Sequence, residues 1–199
     1  MPHWLIGGLH MTCIKPDGGA TLSADFGSDY DRAEQWAAAM NAAGYGVYWT
    51  ANEVQPGVKR KPRKSDIASC RAVWIDLDRP DMLPLAQALH PSVIISSGGG
   101  YQCIWWLESP CTAGECEDVN KRLAATIGAD DCWNVDRLLR WPGTLNYPNA
   151  AKIKRGRGVS RATLFEAHDG LRHRIETLQE MLPEVPSDLA KHRPAIVDY

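Results

Sequence analysis

The pattern of apolar and polar positions along the chain predicts helices interleaved with strands and hairpins. Over 29–43, Ala33, Trp36, Ala37 and Met40 recur at helical spacing; Asp29 or Asp31 can cap this helix and Gly44 ends it. Residues 47–54 (VYWTANEV) read as a strand, rich in aromatic and β-branched residues. A Pro- and Gly-punctuated basic loop covers 55–64, and Ser65 can cap a short helical turn. The near-continuous apolar run 71–77 (RAVWIDL) reads as a buried strand. A short helix is expected over 82–90. Strands 92–96 and 101–107 flank Ser97-Gly98-Gly99-Gly100, a hairpin signal. Over 112–127 a helix starts on Thr112 with Glu115 three residues later and stops at Gly128. Residues 135–141 lead into a Pro142-Gly143 turn and a second basic loop. A strand near 161–165 and a helix over 171–181 follow.

Beyond Pro183 the prolines 183, 186 and 194 stand in no apolar period, which reads as linker. At 199 residues the chain fits one domain, expected over 1–182, with a tail at 183–199 leading to a further domain. Hairpins among the helices predict an α+β (mixed α/β) fold with a mixed or largely antiparallel sheet, not a doubly wound one. With 44% hydrophobic and 23% charged residues the chain is neither disordered nor a coiled coil. It has no apolar run of ~18 residues, so no transmembrane helix is expected. Its N-terminus lacks the basic and apolar regions of a signal peptide. The expected setting is the cytoplasm.

Charge changes the picture more than composition does. The net charge is −2, yet KRKPRK (Lys59, Arg60, Lys61, Arg63 and Lys64) and KIKRGR (Lys152, Lys154, Arg155 and Arg157) hold nine of the 22 Lys and Arg. The remaining 13 basic residues stand against 24 acidic ones, a net of −11. A mildly acidic body with two dense basic segments predicts a localised polyanion site; two solvated loops are the plainer alternative. The six cysteines include no C-x-x-C pair, and Cys111 and Cys116 are spaced C-x4-C. Reduced thiols are expected, and zinc is not.

Three segments carry candidate chemistry. Asp76-Leu77-Asp78 ends an apolar strand, where alternation places both carboxylates on one face, their Cα atoms ~6.6 Å apart. Carboxylates that close repel unless a cation lies between them, and hard oxygen ligands suit Mg²⁺ or Mn²⁺. Two solvated acids at a strand end are the alternative. The Ser97 to Gly100 segment allows close backbone approach to phosphate oxygens, or is simply a flexible turn; it is neither a P-loop nor a dinucleotide fingerprint. The block from Trp133 to Asn146 places Asp136, a possible third metal ligand, near Arg140, which suits bidentate phosphate contact. Alternatively, Asp136 and Arg140 pair at i, i+4 on a helix surface. Of the eight tryptophans, Trp49, Trp105, Trp106, Trp133 and Trp141 are candidates for stacking or core, and Trp74 is core.

The order VWIDLD, SSGGGYQCIWW and CWNVDRLLRWPGTLNYPNAAKIKRGR resembles the archaeo-eukaryotic primase (AEP) superfamily, and within it the primase–polymerase (PrimPol) domains of phages, prophages and plasmids. The resemblance covers about 48–165. It implies an RRM-like sheet core packed with a second α/β unit, and template-directed nucleotide polymerisation in a bacterial cell. By position it makes Asp76, Asp78 and Asp136 the catalytic metal ligands. It places Ser97, Gly98, Gly99 and Gly100 beside the incoming triphosphate, with Gln102, Arg140, Asn146 and Lys152 as further nucleotide contacts. Many members have His where this chain has Gln102, whose amide can donate a hydrogen bond but cannot become cationic.

The expected activity is therefore DNA primase/polymerase nucleotidyl transfer on two Mg²⁺ or Mn²⁺ ions, with single-stranded DNA template and dNTP or NTP as partners. Lys59, Arg60, Lys61, Arg63, Lys64, Lys154, Arg155 and Arg157 would contact nucleic acid. A helicase domain often follows in related proteins. A non-catalytic DNA-binding replication module, with Gln102 marking a decayed nucleotide site, is the first rival. A glycosyltransferase explains D-x-D but not the basic loops, and Pro80 stands where a haloacid-dehalogenase phosphatase needs Thr.

Overall fold

The computed structural model describes residues 4–185. Most of the expected tail, 186–199, lies outside the described residues. Two antiparallel sheets face one another across a shared core. The first has the order β2-β1-β3-β8, from β1 (Leu9–Ile14), β2 (Leu22–Gly27), β3 (Gly46–Thr50) and β8 (Leu138–Arg140). The second has the order β11-β6-β7-β5-β4, from β4 (Glu53–Val54), β5 (Ile67–Leu77), β6 (Val93–Ser96), β7 (Tyr101–Cys111) and β11 (Thr163–Ala167). A two-stranded ribbon pairs β9 (Leu145–Asn146) with β10 (Ser160–Arg161). Helices α1 (Tyr30–Ala42), α2 (Leu83–Gln87), α3 (Ala113–Ile127), α4 (Ala150–Lys154) and α5 (Ile175–Met181) complete the α+β fold. No helix among the described residues is long and apolar enough to cross a membrane.

Helix α3 follows its sequence signals: Thr112 and Glu115 form a reciprocal capping box and Gly128 closes the helix in the left-handed region at φ 78°. Other boundaries moved. The hairpin β1–β2 has no counterpart in the sequence-based expectations, although Leu9, Met11 and Cys13 in β1 and Leu22, Ala24 and Phe26 in β2 alternate with polar residues at strand period. The expected strand 47–54 is two strands in two sheets. The chain crosses between them at Ala51-Asn52, where the buried Asn52 Oδ1 accepts from the backbone N–H groups of Arg71 and Ala72 at 3.0 and 3.2 Å. Asn52 Nδ2 in turn donates to the Val135 carbonyl at 3.3 Å. Asp136 and Arg140 do not pair on a helix: Asp136 lies in a turn and Arg140 in β8.

Tryptophans join the sheets. Trp49 on β3 lies 6.1 Å from Trp106 on β7, ring centre to ring centre, and Trp4 and Trp141 pack on Trp49 at 5.5 and 6.2 Å. Trp49, Trp74, Trp105, Trp106 and Trp141 are all buried, which removes them as stacking platforms. Trp133 stays partly exposed, with Lys121 Nζ 4.1 Å above its ring. Buried polar side chains supply the remaining links. Asn120 Oδ1 accepts from the Trp74 N–H at 2.8 Å, and Arg71 donates to the carbonyls of Ala51 and Gly8 at 2.9 and 2.7 Å.

These links generate a stability prediction. Replacing Asn52 with Ala leaves two buried backbone donors of β5 without their acceptor, each worth about 1–3 kcal/mol. Urea unfolding of Asn52→Ala should therefore show a clearly lower midpoint at an unchanged m-value.

Candidate active site

Strand β5 delivers Asp76 to the sheet surface and Asp78 just past its end. Leu77 between them is fully buried, so alternation keeps both acids on the other face. The Asp76 side chain is 19% exposed and that of Asp78 60%. Burial pushes the Asp76 carboxyl above the ordinary carboxylate range, against the pull of Arg137, whose Nη2 stands 3.7 Å from Asp76 Oδ2.

A third acid closes on this pair, and it is not the expected one. The backbone N–H of Asp130 donates to the Asp76 carbonyl at 3.0 Å. Burial raises the Asp130 carboxyl, and repulsion from Asp78 and Asp76 raises it further. Asp136 instead accepts from Asn134 Nδ2 at 2.7 Å within a turn closed by the Arg137 N–H on the Asn134 carbonyl. That turn puts Arg137, not Asp136, against Asp76. The structure thus does not gather Asp76, Asp78 and Asp136 into a triad. As the side chains stand, no three His, Cys, Asp or Glu among the described residues converge as a metal-binding group.

The Ser97 to Gly100 segment links β6 to β7, and the Ser97 N–H donates to the Gly100 carbonyl at 2.9 Å. Glycine is required here for space. A Cβ on Gly100 would fall 1.9 Å from the Leu77 carbonyl oxygen, so this turn packs directly on the backbone beside Asp78. A Cβ on Gly98, at φ 84°, would meet Ser160 Oγ at 2.2 Å. Ser160 Oγ donates to the Gly98 carbonyl at 2.9 Å, and Asn146 Nδ2 donates to the Ser97 carbonyl at 2.9 Å. The β9–β10 ribbon therefore holds the glycine turn in place.

Arg140 is buried beneath this turn. Its Nη2 donates to Tyr48 Oη and Asn146 Oδ1 at 2.8 and 2.9 Å, and its guanidinium lies 4.0 Å from the Tyr48 ring centre. Nη1 is buried with no acceptor among the described residues. Burial lowers the Arg140 pKa, and Tyr48 and Asp76 oppose that shift.

Gln102 stands opposite Asp76 in the β5–β7 register. Its Oε1 accepts from the Arg140 backbone N–H at 2.7 Å and its Nε2 donates to Asp76 Oδ2 at 3.5 Å. It is 5% exposed and both ends of its amide are engaged. Gln102 therefore works as a strut joining β7, β5 and β8, a role its residue type alone did not disclose.

The two basic segments part company. Arg60 pairs with Asp66 through two hydrogen bonds at 2.5 and 2.9 Å, and Lys64 pairs with Glu117 at 2.6 Å. These contacts anchor the first segment at the start of β5, roughly 30 Å along the strand from Asp76 at ~3.3 Å per residue. Lys59, Lys61 and Arg63 are exposed there. The second segment reaches the acids: Arg157 Nη2 is 3.9 Å from Asp78 Oδ1, and Arg157 Nη1 would be 2.8 Å from a Cβ on Gly99. Lys152, Lys154 and Arg155 lie exposed on and after α4, which Asn149 caps by accepting from the Lys152 N–H at 2.9 Å. Sequence reading missed Asp130 and Arg137 as neighbours of the acidic pair. The basic residue directly after Asp136 was the available signal for the second.

The family model of the RepB DNA-primase N-terminal domain matches residues 27–176, three quarters of the chain. The chain belongs to this family. It is a primase-type replication domain. The AEP domain of the cyanophage S-2L primase–polymerase superposes with a TM-score of 0.66 at 18% identity, over 88% of this chain and 89% of that one. Primase RepB′ superposes at 0.62 with 14% identity, over 87% of this chain and 57% of that one. The catalytic domain of primase RepB′ in complex with initiator DNA gives 0.61 at 16% identity, over 87% and 86%. The fold is thus that of AEP primases. No curated protein sequence matches the chain.

Two predictions follow from this geometry. The folded protein holds the Asp76 proton to higher pH than the unfolded chain does. Stability of the metal-free protein therefore falls as pH rises through the carboxylate range and stays lower above it. Asp76→Asn removes this loss, so its melting temperature should exceed that of the wild type at pH 7 and the gap should shrink at pH 4. Gln102→Ala, which orphans the Arg140 N–H, should lose about 1–3 kcal/mol in urea unfolding, and Gln102→Glu, which sets a second carboxylate against Asp76, should not recover it at pH 7.

Proposed function

We propose that this domain is a template-directed nucleotidyltransferase, a DNA primase/polymerase, with Asp76 and Asp78 as its central carboxylates. The observation that carries the reading is the joint placement of these acids, the glycine turn and Arg157 at one end of β5. Carboxylate oxygens on a rigid strand end are a hard donor set, and their repulsion of Asp130 marks a place where a divalent cation would relieve charge. Asp76 and Asp78 would hold Mg²⁺ or Mn²⁺, with Asp130 the nearest further acid. Bound there, the ions would lower the pKa of the attacking 3′-hydroxyl and offset charge on the α-phosphate and the leaving pyrophosphate.

The chain's own groups supply position. The backbone of Gly98 to Gly100 offers close approach to the triphosphate, and Lys152 offers a cationic contact to its oxygens. Arg140, fixed by Tyr48 and Asn146, adds a buried cation next to the residue that holds the glycine turn, with its Nη1, unpartnered among the described residues, lying against Gly46. Phosphoryl transfer is then an in-line displacement: the 3′-oxygen bonds to the α-phosphorus as the bond to the bridging oxygen of pyrophosphate breaks. Single-stranded DNA is the template and dNTPs or NTPs the substrates, in the cytoplasm of a bacterial cell.

The test is extension of a primed single-stranded template, and unprimed synthesis, with dNTPs and NTPs in parallel and Mn²⁺ present. Product is expected from the wild type, with a loss of at least a hundredfold in Asp76→Ala and Asp78→Ala. Absence of product, or product retained in Asp76→Ala, overturns the reading, and DNA binding without synthesis would favour the non-catalytic module. Calorimetric Mn²⁺ titration should show Asp130→Ala weakening binding more than Asp136→Ala; the reverse order restores Asp136 as third ligand.

A further inference from the structure

The second basic segment lies among the most exposed aliphatic side chains of the described residues. Ile153 on α4 is 57% exposed and Val159 is 58% exposed, while Lys152, Lys154, Arg155 and Arg157 surround them in sequence. Both aliphatics line a cleft of about 410 Å³ whose other walls include Pro16, Tyr147, Pro148 and Arg157. The Tyr147 hydroxyl donates to the Asn41 carbonyl at 2.9 Å, which anchors the ring. The walls are therefore mostly apolar and partly preformed, and the rim is cationic.

The cations bordering the cleft come from two separate segments. Arg157 stands at the end of the cleft nearest Asp78. Lys15 stands by the cleft-lining Gly44, its Nζ donating to the Ala43 carbonyl at 2.5 Å and lying 4.4 Å from the Tyr45 ring centre, with its other N–H groups left for a phosphate. Lys152, Lys154 and Arg155 are exposed on α4 and at its C-terminal end. The acids nearby are Asp78, already beside Arg157, and Asp17, whose Oδ1 accepts from the Ala150 N–H at 3.2 Å.

We propose that this cleft receives an unstacked base of single-stranded nucleic acid, with the flanking phosphates on Arg157 on one side and on Lys15 and Lys154 on the other. Cations supplied by two separate segments suit a strand, which carries phosphate on both sides of each base, better than a mononucleotide, which carries it on one. Apolar and aromatic walls between phosphate-facing cations are the usual make-up of a single-strand groove. The inference deepens the polymerase reading and rests on it for the strand's role as template. Arg157, shared by the cleft and Asp78, would lead that strand to the acids. The first basic segment, at the far end of β5, is not required.

The test is fluorescence anisotropy with an oligo-dT strand and with a strand of equal length carrying abasic residues, across a salt series. The wild type should prefer the base-bearing strand by roughly tenfold. The Ile153→Ser/Val159→Ser variant, altered at two exposed positions, should keep its melting temperature and lose that preference. Lys154→Gln should weaken both strands alike and lower the salt slope by about one. Equal binding of the two strands by the wild type, an unchanged preference in the double variant, or displacement of the strand by dNTP alone overturns the cleft assignment. If extension persists while the base preference is absent, the cleft falls and the polymerase reading stands. A base preference that survives in Asp76→Ala while extension is lost supports both.

Discussion

The register of β5 against β7 is the constraint on which the site depends. Both strands are eleven residues long and buried through their middles, with Val73 opposite Trp105 and Trp74 opposite Ile104. A slip of one residue would exchange the two faces of β5 and drive Asp76 toward the core, so burial enforces the pairing. That pairing sets Asp76 across from Gln102 and Leu77 across from Tyr101. It also brings the glycine turn onto the backbone at Leu77, where a Cβ has no room.

Polar side chains in the core carry this order from one sheet to the other. Asn52 steers the chain between the sheets, Gln102 ties β7 to β8, and Asn120 joins α3 to β5. Each such bond contributes little net stability, but each orphaned partner costs more, so the network discriminates against other arrangements of the sheets. Arg140 depends on it directly: the backbone that carries this buried cation is held by the residue facing Asp76. The position of a candidate phosphate-binding group is thus coupled to that of a candidate metal-binding acid through one amide side chain.

Charge follows the same logic of placement. The first basic segment spends two of its five cations on Asp66 and Glu117. The second sends Arg157 to Asp78 and leaves its other cations exposed beside an apolar cleft. The small net charge is therefore a balance between an acidic body and two basic segments of different character, one partly neutralised by the fold and one open. Acids and bases also meet without close pairing at 3.7 and 3.9 Å, between Arg137 and Asp76 and between Arg157 and Asp78.

Elements whose signals are local were legible in the sequence. The capped helix after Thr112, the apolar strand ending in D-x-D and the glycine hairpin each depend on neighbouring residues, and so did the α+β class. The β1–β2 hairpin was legible in the alternation of Leu9, Met11 and Cys13 and of Leu22, Ala24 and Phe26 but was not read from it, whereas the break in 47–54 was not legible, because a crossing between sheets leaves no local mark. Spacing and residue type singled out Asp76, Asp78, Ser97 to Gly100 and Arg140. They did not reveal that Asp130 lies against the acids while Asp136 turns to Asn134, or that Gln102 is a strut. By itself the sequence determined most of the segments that become strands, helices and turns, and which chemistry they carry, since those follow from neighbours along the chain. Only the tertiary structure decided which acid meets which, and which basic segment faces them, since those contacts join residues far apart in sequence.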